Sequence, residues 1–277
     1  MSQPCCPSDS LGPAPLSTTV PQGKMVQLTS EIGNVKPLPA YIVGKEEGAS
    51  RAVLVFSDVF GIESGSHKIV CDELASKLDD TLVIMPDLFR GRPILGGWGL
   101  PMFMTIFTAV PVIIYSVRTY ASSANIDRDL SILVRPYLDS KLSADAEISC
   151  VGFCFGGWVV GRALALEALN CRTGVAIHAS PKVEFLAGGN ITGLWERVGK
   201  KPVLFLPSRS DGDTKVDSVI VKQMAEQRNV QPADICVEFS DMIHGWVTRG
   251  DLANEQVAQN FERAMAMTAR FIQTSTI

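Results

Sequence analysis

The amino-acid sequence predicts an α/β fold: a mostly parallel central sheet flanked by helices on both faces. Short apolar, β-branched runs alternate with helix-length amphipathic segments along most of the chain, the pattern of strands joined by crossover helices. The central runs are apolar without interruption, as strands covered on both faces must be. One uncharged stretch, Ile94 to Val117, lies inside this alternation and reads as an inserted apolar cap.

In chain order, strands are expected at Met25–Leu28, Ala40–Val43, Ala52–Phe56, Thr81–Met85, Ile148–Val151, Gly174–Ile177, Val203–Leu206 and Ile235–Phe239. Helices are expected at Ser66–Leu78, Asp127–Leu138, Trp158–Leu169, Val216–Gln227 and Asn254–Ile272, where apolar residues recur at amphipathic spacing. No internal repeat is evident and no linker divides the chain after residue 23, so residues 24–277 are expected to form a single domain. Residues 1–23, rich in Pro, Ser and Thr, are expected to be a flexible lead-in, and they lack the basic start and apolar core of a signal peptide. Cys5 and Cys6 within it read as surface thiols rather than lipidation sites. The Ile94–Val117 stretch is long enough on paper to cross a bilayer. However, Gly96, Gly97, Gly99, Pro101 and Pro111 interrupt it, and a span there would cut the sheet in two. A cap over about residues 91–126 is expected instead, with no stable membrane span; a membrane-touching surface is the lesser alternative.

With 277 residues, 46% of them hydrophobic, the chain can bury one large core. The net charge is −4 with a pI near 5.5 and no Lys/Arg-rich block, which argues against a nucleic-acid partner and for a small-molecule one. Seven cysteines without CxxC spacing read as reduced thiols of a cytoplasmic protein and carry no zinc pattern.

The run Val151-Gly152-Phe153-Cys154-Phe155-Gly156-Gly157 joins a strand-like to a helix-like stretch, the setting of a nucleophile elbow with sulfur at its apex. The same turn puts Cys154 at a helix N-terminus, where the dipole favours thiolate over thiol. The competing reading is a buried structural cysteine. A nucleophilic thiolate needs a base, and the base an orienting carboxylate. His244 follows the last strand-like run and is the expected base; His67 reads as a solvent-facing or capping residue, and His178, ending a strand, as a candidate to line the pocket. The polar loop after Val203–Leu206 offers Asp211 or Asp213 as the acid. Nucleophile, acid, base is the chain order of the α/β-hydrolase fold.

Four pieces, Phe56-Ser57-Asp58-Val59-Phe60-Gly61, Met85-Pro86-Asp87-Leu88-Phe89-Arg90-Gly91, the Gly-Phe-Cys-Phe-Gly-Gly elbow and His244-Gly245-Trp246, together resemble the dienelactone hydrolase family from about Val26 to the C-terminus. The resemblance implies an α/β-hydrolase fold, a Cys154–His244–Asp211 triad, and hydrolysis of esters or lactones without cofactor or metal. It also implies an oxyanion hole from the backbone N–H groups of Phe155 and Val59. Asp58, Trp158, His178, Trp246 and Arg249 are the candidates to line the substrate pocket.

Two positions depart from the family pattern. Asp58 stands where lactone-cleaving members have a Glu that switches the cysteine, and Arg249 lies one residue later than the family's carboxylate-binding arginine. With the uncharged cap, these departures imply a substrate less anionic than a dienelactone acid: an ester, lactone or thioester of a largely apolar small molecule. Two alternatives stand beside hydrolysis. One is a non-hydrolytic member of the fold that binds a small molecule or senses redox state through Cys154. The other is an acyl-cysteine resolved by lactonisation, acyl transfer or isomerisation.

Overall fold

In the computed structural model, which describes residues 9–12, 14, 19–32, 35–95, 111 and 114–276, seven strands build one sheet. They are β1 (Lys24–Leu28), β2 (Leu38–Gly44), β3 (Ala49–Phe56), β4 (Thr81–Pro86), β5 (Leu142–Phe153), β6 (Cys171–Ile177) and β7 (Val203–Leu206), ordered β1-β2-β4-β3-β5-β6-β7. β2 pairs antiparallel with β1 and β4, and every other pairing is parallel. The carboxyl ends of β3, β5, β6 and β7 therefore open on one edge, where ligands of open α/β sheets bind.

Successive side chains of a strand face opposite ways, and β3 shows the consequence. Ala52, Leu54 and Phe56 enter one core, Val53 and Val55 the other. The first core is covered by α2 (Ser123–Asp129), α3 (Arg135–Lys141), α4 (Phe155–Ala165), α5 (Val183–Leu186), α6 (Ile191–Val198) and α7 (Val219–Arg228). The second is covered by α1 (His67–Lys77), α8 (Trp246–Arg249) and α9 (Glu255–Thr274). α9 shows why such segments are helical: Phe261, Ala264, Met265, Thr268 and Ile272 are buried at helical spacing, and the Asn254 side chain caps its first turn by accepting from Gln256 and Val257 N–H. Each large apolar side chain so buried contributes about 1.5–3 kcal/mol.

Three expectations change. The expected strand at Ile235–Phe239 is reduced to isolated parallel bridges, Phe205↔Cys236 and Ser208↔Phe239; Pro207 of the neighbouring segment has no N–H to continue the ladder. The expected helix Asp127–Leu138 begins earlier, at the Ser122 cap, and widens into a π-turn at Leu130–Val134 before α3. Pro136 explains this, since it cannot donate to a carbonyl four residues back and its ring crowds that carbonyl. Third, α6 forms where no helix was anticipated, capped by Asn190 and burying Leu194, Trp195 and Val198.

Of the cap expected over residues 91–126, residues 96–110 and 112–113 lie outside the described residues. Among the described residues no helix is long and apolar enough to cross a membrane. Described residues of the 1–23 segment contact the rest of the chain: Gln22 N–H donates to Asp72, Gly23 N–H to the Tyr41 hydroxyl, and Leu11 N–H to the His244 carbonyl.

Candidate active site

Cys154 has φ +53° and ψ −113°, a conformation that L-residues avoid and that costs on the order of 1–3 kcal/mol. Packing enforces it. A Cβ on Gly152 would stand 2.0 Å from the Gly156 carbonyl oxygen, and one on Gly156 would stand 2.1 Å from that of Phe56. The first turn of α4 thus sits directly on the ends of β5 and β3. The elbow is tied down by Cys154 N–H donating to Ile177 C=O (3.2 Å) and by Cys154 C=O accepting from Ser180 N–H (2.9 Å) and Gly157 N–H (3.0 Å). Gly156→Ala is expected to cost about 1–3 kcal/mol by overpacking, read as a lowered midpoint in thermal unfolding.

His244, in the loop before α8, brings Nδ1 to 2.6 Å from Asp211 Oδ1, with both side chains essentially buried. The other Asp211 oxygen accepts from Ser208 N–H (2.7 Å) and Ser208 Oγ (2.6 Å), so the carboxylate has one orientation. Asp213, the alternative acid, instead pairs with Lys182 at 2.9 Å on the surface. With Nδ1 engaged by Asp211, Nε2 makes no hydrogen bond of ordinary geometry among the described residues, and the charge of Cys154 acts on the ring. Burial lowers the His244 pKa, but the Cys154 charge and the Asp211 hydrogen bond outweigh it and push the pKa up to about 10.

The sign of the pH effect follows. A pKa raised from 6.5 to about 10 gives a contribution to stability that is complete below 6.5 and is lost as pH rises through about 10. The stability advantage of wild type over His244→Gln should therefore shrink across that window, as measured by urea unfolding at a series of pH values.

Cys154 Sγ also lies 3.5 Å from Ser180 Oγ. Ser180 and Ser208 were not singled out from the sequence; their signal is position, just beyond the carboxyl ends of β6 and β7. Phe155 opens α4, where an N–H has no carbonyl partner inside the helix. Val59 sits in the turn Asp58–Gly61 that follows β3, whose last residue pairs with Gly152. The N–H groups of Phe155 and Val59 are thus carried on two segments packed side by side.

His178 is fully buried with φ +35°, and neither ring nitrogen meets a partner among the described residues. Its ring packs edge-on against His244 at 5.0 Å and beside Phe153 at 5.8 Å. Burial first, then the positive charges of His244 and Arg249, lower its pKa well below the usual value, so it is neutral. His67, expected to face solvent, is wholly buried instead. Its Nδ1 lies 2.5 Å from Ser64 C=O and its Nε2 accepts from Asp58 N–H, an arrangement that places its proton on Nδ1.

Asp58 is fully engaged by its neighbours: Oδ1 accepts from Phe60 N–H, and Oδ2 from Thr248 Oγ1 at 3.1 Å, with Arg249 Nε 2.9 Å away in a buried ion pair. Arg249 also stacks on Phe60 and donates to the carbonyls of Leu11 and Gly12. Trp158 packs on Phe155 and commits its indole N–H to Glu184 at 2.6 Å, and Glu184 in turn binds Arg162. Trp246 lies in the core on the opposite face of the sheet, against Phe239. A cleft of about 970 Å³ is lined by Leu88, Phe89, Arg90, Tyr120 and Arg128, none of them a triad candidate; Phe89 in its wall lies 5.1 Å from Phe155 of the elbow, and Arg90 and Arg128 both pair with Asp129. Among the described residues no cluster of three or more His, Cys, Asp or Glu could hold a metal ion.

A buried thiol beside an imidazole that is itself held by a carboxylate can store a thiolate–imidazolium pair and deliver a proton to a leaving group. The described thiols elsewhere lack that setting. Burial pushes Cys71 and Cys150 well up and Cys236 to about 12.

Comparison with known proteins gives consistent matches. Residues 38–275 match the model of the dienelactone hydrolase family. The chain is 27% identical over 217 residues to the human carboxymethylenebutenolidase homolog, covering 78% of each chain. Among solved structures it is similar to a dienelactone hydrolase-like promiscuous phosphotriesterase from metagenomic libraries, with TM-score 0.59, 14% identity and coverage of 92% of this chain and 99% of that one. It is also similar to the Pyrococcus furiosus esterase Pf2001, with TM-score 0.55, 15% identity and coverage of 94% and 98%.

Proposed function

This chain belongs to the dienelactone hydrolase family and is a dienelactone hydrolase-like ester hydrolase, and on that footing we propose that it cleaves an ester, lactone or thioester of a largely apolar small molecule through Cys154, His244 and Asp211. The observation that carries this reading is the His244 imidazole, held by Asp211 at 2.6 Å and raised in pKa by the charge of Cys154, the residue at the apex of a strained elbow.

The Cys154 thiolate attacks the substrate carbonyl carbon, and the oxygen takes up the negative charge facing the N–H groups of Phe155 and Val59. Such donors act on charge that develops only in the transition state. Collapse of the intermediate breaks the bond to the leaving group, which takes the His244 proton, and leaves an acyl-cysteine. Water, deprotonated by His244, then attacks that carbonyl, releasing the acid and restoring the thiolate–imidazolium pair. Asp211 keeps His244 in the tautomer whose Nε2 faces sulfur. Arg249 spends its charge on Asp58, which supports a substrate whose reactive end carries no carboxylate.

Two measurements test the reading. Alkylation of Cys154 by iodoacetamide is expected to proceed as a thiolate below pH of about 7, whereas an ordinary cysteine titrates near 8.5. An unreactive thiol would instead favour a binding protein on the same fold. In turnover of activated short-chain esters, Asp211→Asn should lower kcat by roughly 10⁴-fold, the size seen when a triad acid loses its charge. Asp213→Asn should leave kcat unchanged, and equal effects of the two variants would remove the assignment.

A further inference from the structure

The residues preceding β1 reach three loops of the candidate site at once. Leu11 N–H donates to the His244 carbonyl at 3.0 Å, while the first turn of α8 sends its own bonds elsewhere, Trp246 N–H to Ile243 and Arg249 N–H to Gly245. The carbonyls of Leu11 and Gly12 accept from Arg249 Nη1. The Ala14 carbonyl accepts from Gly65 N–H at 3.1 Å and from Ser64 Oγ at 3.3 Å, in the loop ahead of α1. Asp9 pairs with Arg209 at 3.3 Å and hydrogen-bonds Ser210, the two residues between Ser208 and the triad acid.

The sequence suits this work. Gly12 and Ala14 each precede a proline in the sequence, and a residue before proline is biased away from helical backbone, which lowers the entropy lost on docking. The loops so joined need it. Gly245, next to His244, has φ +92°, the conformation of a residue that turns freely. The backbone of the base thus receives from Leu11 a restraint its own helix does not supply.

We propose that residues 9–12 and Ala14 are a positioning strap for the catalytic base: by bonding the His244 carbonyl, the Arg249 guanidinium and the Arg209–Ser210 turn together, they hold the His244 imidazole between Asp211 and Cys154. The proposal rests on the Cys–His–Asp reading above. It makes the backbone of the strap a positioning element for His244 rather than a barrier to the substrate.

The test uses the full chain with Asp9→Ala and Leu11→Pro combined, which removes the Arg209 pair and the single N–H given to His244. Leu11→Ala, which keeps that N–H, is the conservative partner. The expected result is a Cys154 alkylation profile moved up by about one pH unit toward that of a free thiol, and a kcat on activated esters lowered about tenfold with KM within about twofold. Leu11→Ala should behave as wild type. A strap that merely stabilises the fold would lower the melting midpoint and leave the alkylation profile in place, and that result overturns the proposal. A kcat/KM that rises in the double variant also overturns it, by making the strap a gate. Failure of the wild-type protein to show a low-pH thiolate would sink the triad reading itself, whereas a low-pH thiolate indifferent to the double variant would sink only the strap.

Discussion

Cys154→Ala and His244→Ala are each expected to lower kcat/KM on an activated ester by at least about 10⁴-fold, and the double variant to lose little more than either alone. Residues that act as one unit are strongly non-additive, because the second loss removes a partner already without a task. The proposed proton path supplies the reason: it runs through His244, held by Asp211 at 2.6 Å and influenced by the charge of Cys154, so either deletion breaks the same path. Cys154→Ser should retain only a small fraction of the activity, since a hydroxyl is not ionised by an imidazole poised for a thiolate. Steady-state turnover and the burst of leaving group in the first second check both points. Additive losses would show that Cys154 and His244 act separately.

Arg249→Met should destabilise the protein by about 3–5 kcal/mol, the cost of leaving a buried charge without its partner. Asp58 has no exposed side-chain surface and Arg249 about 1%, so water cannot compensate. Adding Asp58→Asn should recover much of that loss, because the second change removes the stranded charge. Denaturant unfolding of the two single variants and the double variant measures the coupling. A double variant no more stable than Arg249→Met would mean that Thr248 and the Phe60 N–H satisfy Asp58 unaided. This pair also gives Asp58 a role different from that of the family's glutamate. Its carboxylate is anchored to Thr248 and Arg249 of α8.

Much of the architecture was legible because it is written in local patterns. Unbroken apolar runs such as Ala52–Phe56 cannot be placed anywhere except between two covered faces, and both cores claim them in alternation. The elbow was readable from its glycines, since Gly152 and Gly156 stand where a Cβ would strike backbone. The π-turn was missed because periodicity averages over a single proline. α6 was missed although Ile191, Leu194, Trp195 and Val198 carry helical spacing behind an Asn cap, because the segment is short, about two turns, and its few apolar positions make a weak period.

The sequence by itself determined the sheet, the elbow that presents Cys154, and the order in which an acid and a base follow it. These depend on hydrophobic period and on turn chemistry, both carried by neighbouring residues. Only the tertiary structure decided what depends on contacts between distant segments. It set Asp211 rather than Asp213 against His244, turned Asp58 to Arg249, buried His67 and left the His178 ring nitrogens without a hydrogen-bond partner among the described residues. It also brought Leu11 to the backbone of His244 across 233 positions of the chain. A hydrogen bond across that separation leaves no period, spacing or motif in the sequence, because its direction is set by how loops from four strand ends meet at one edge of the sheet.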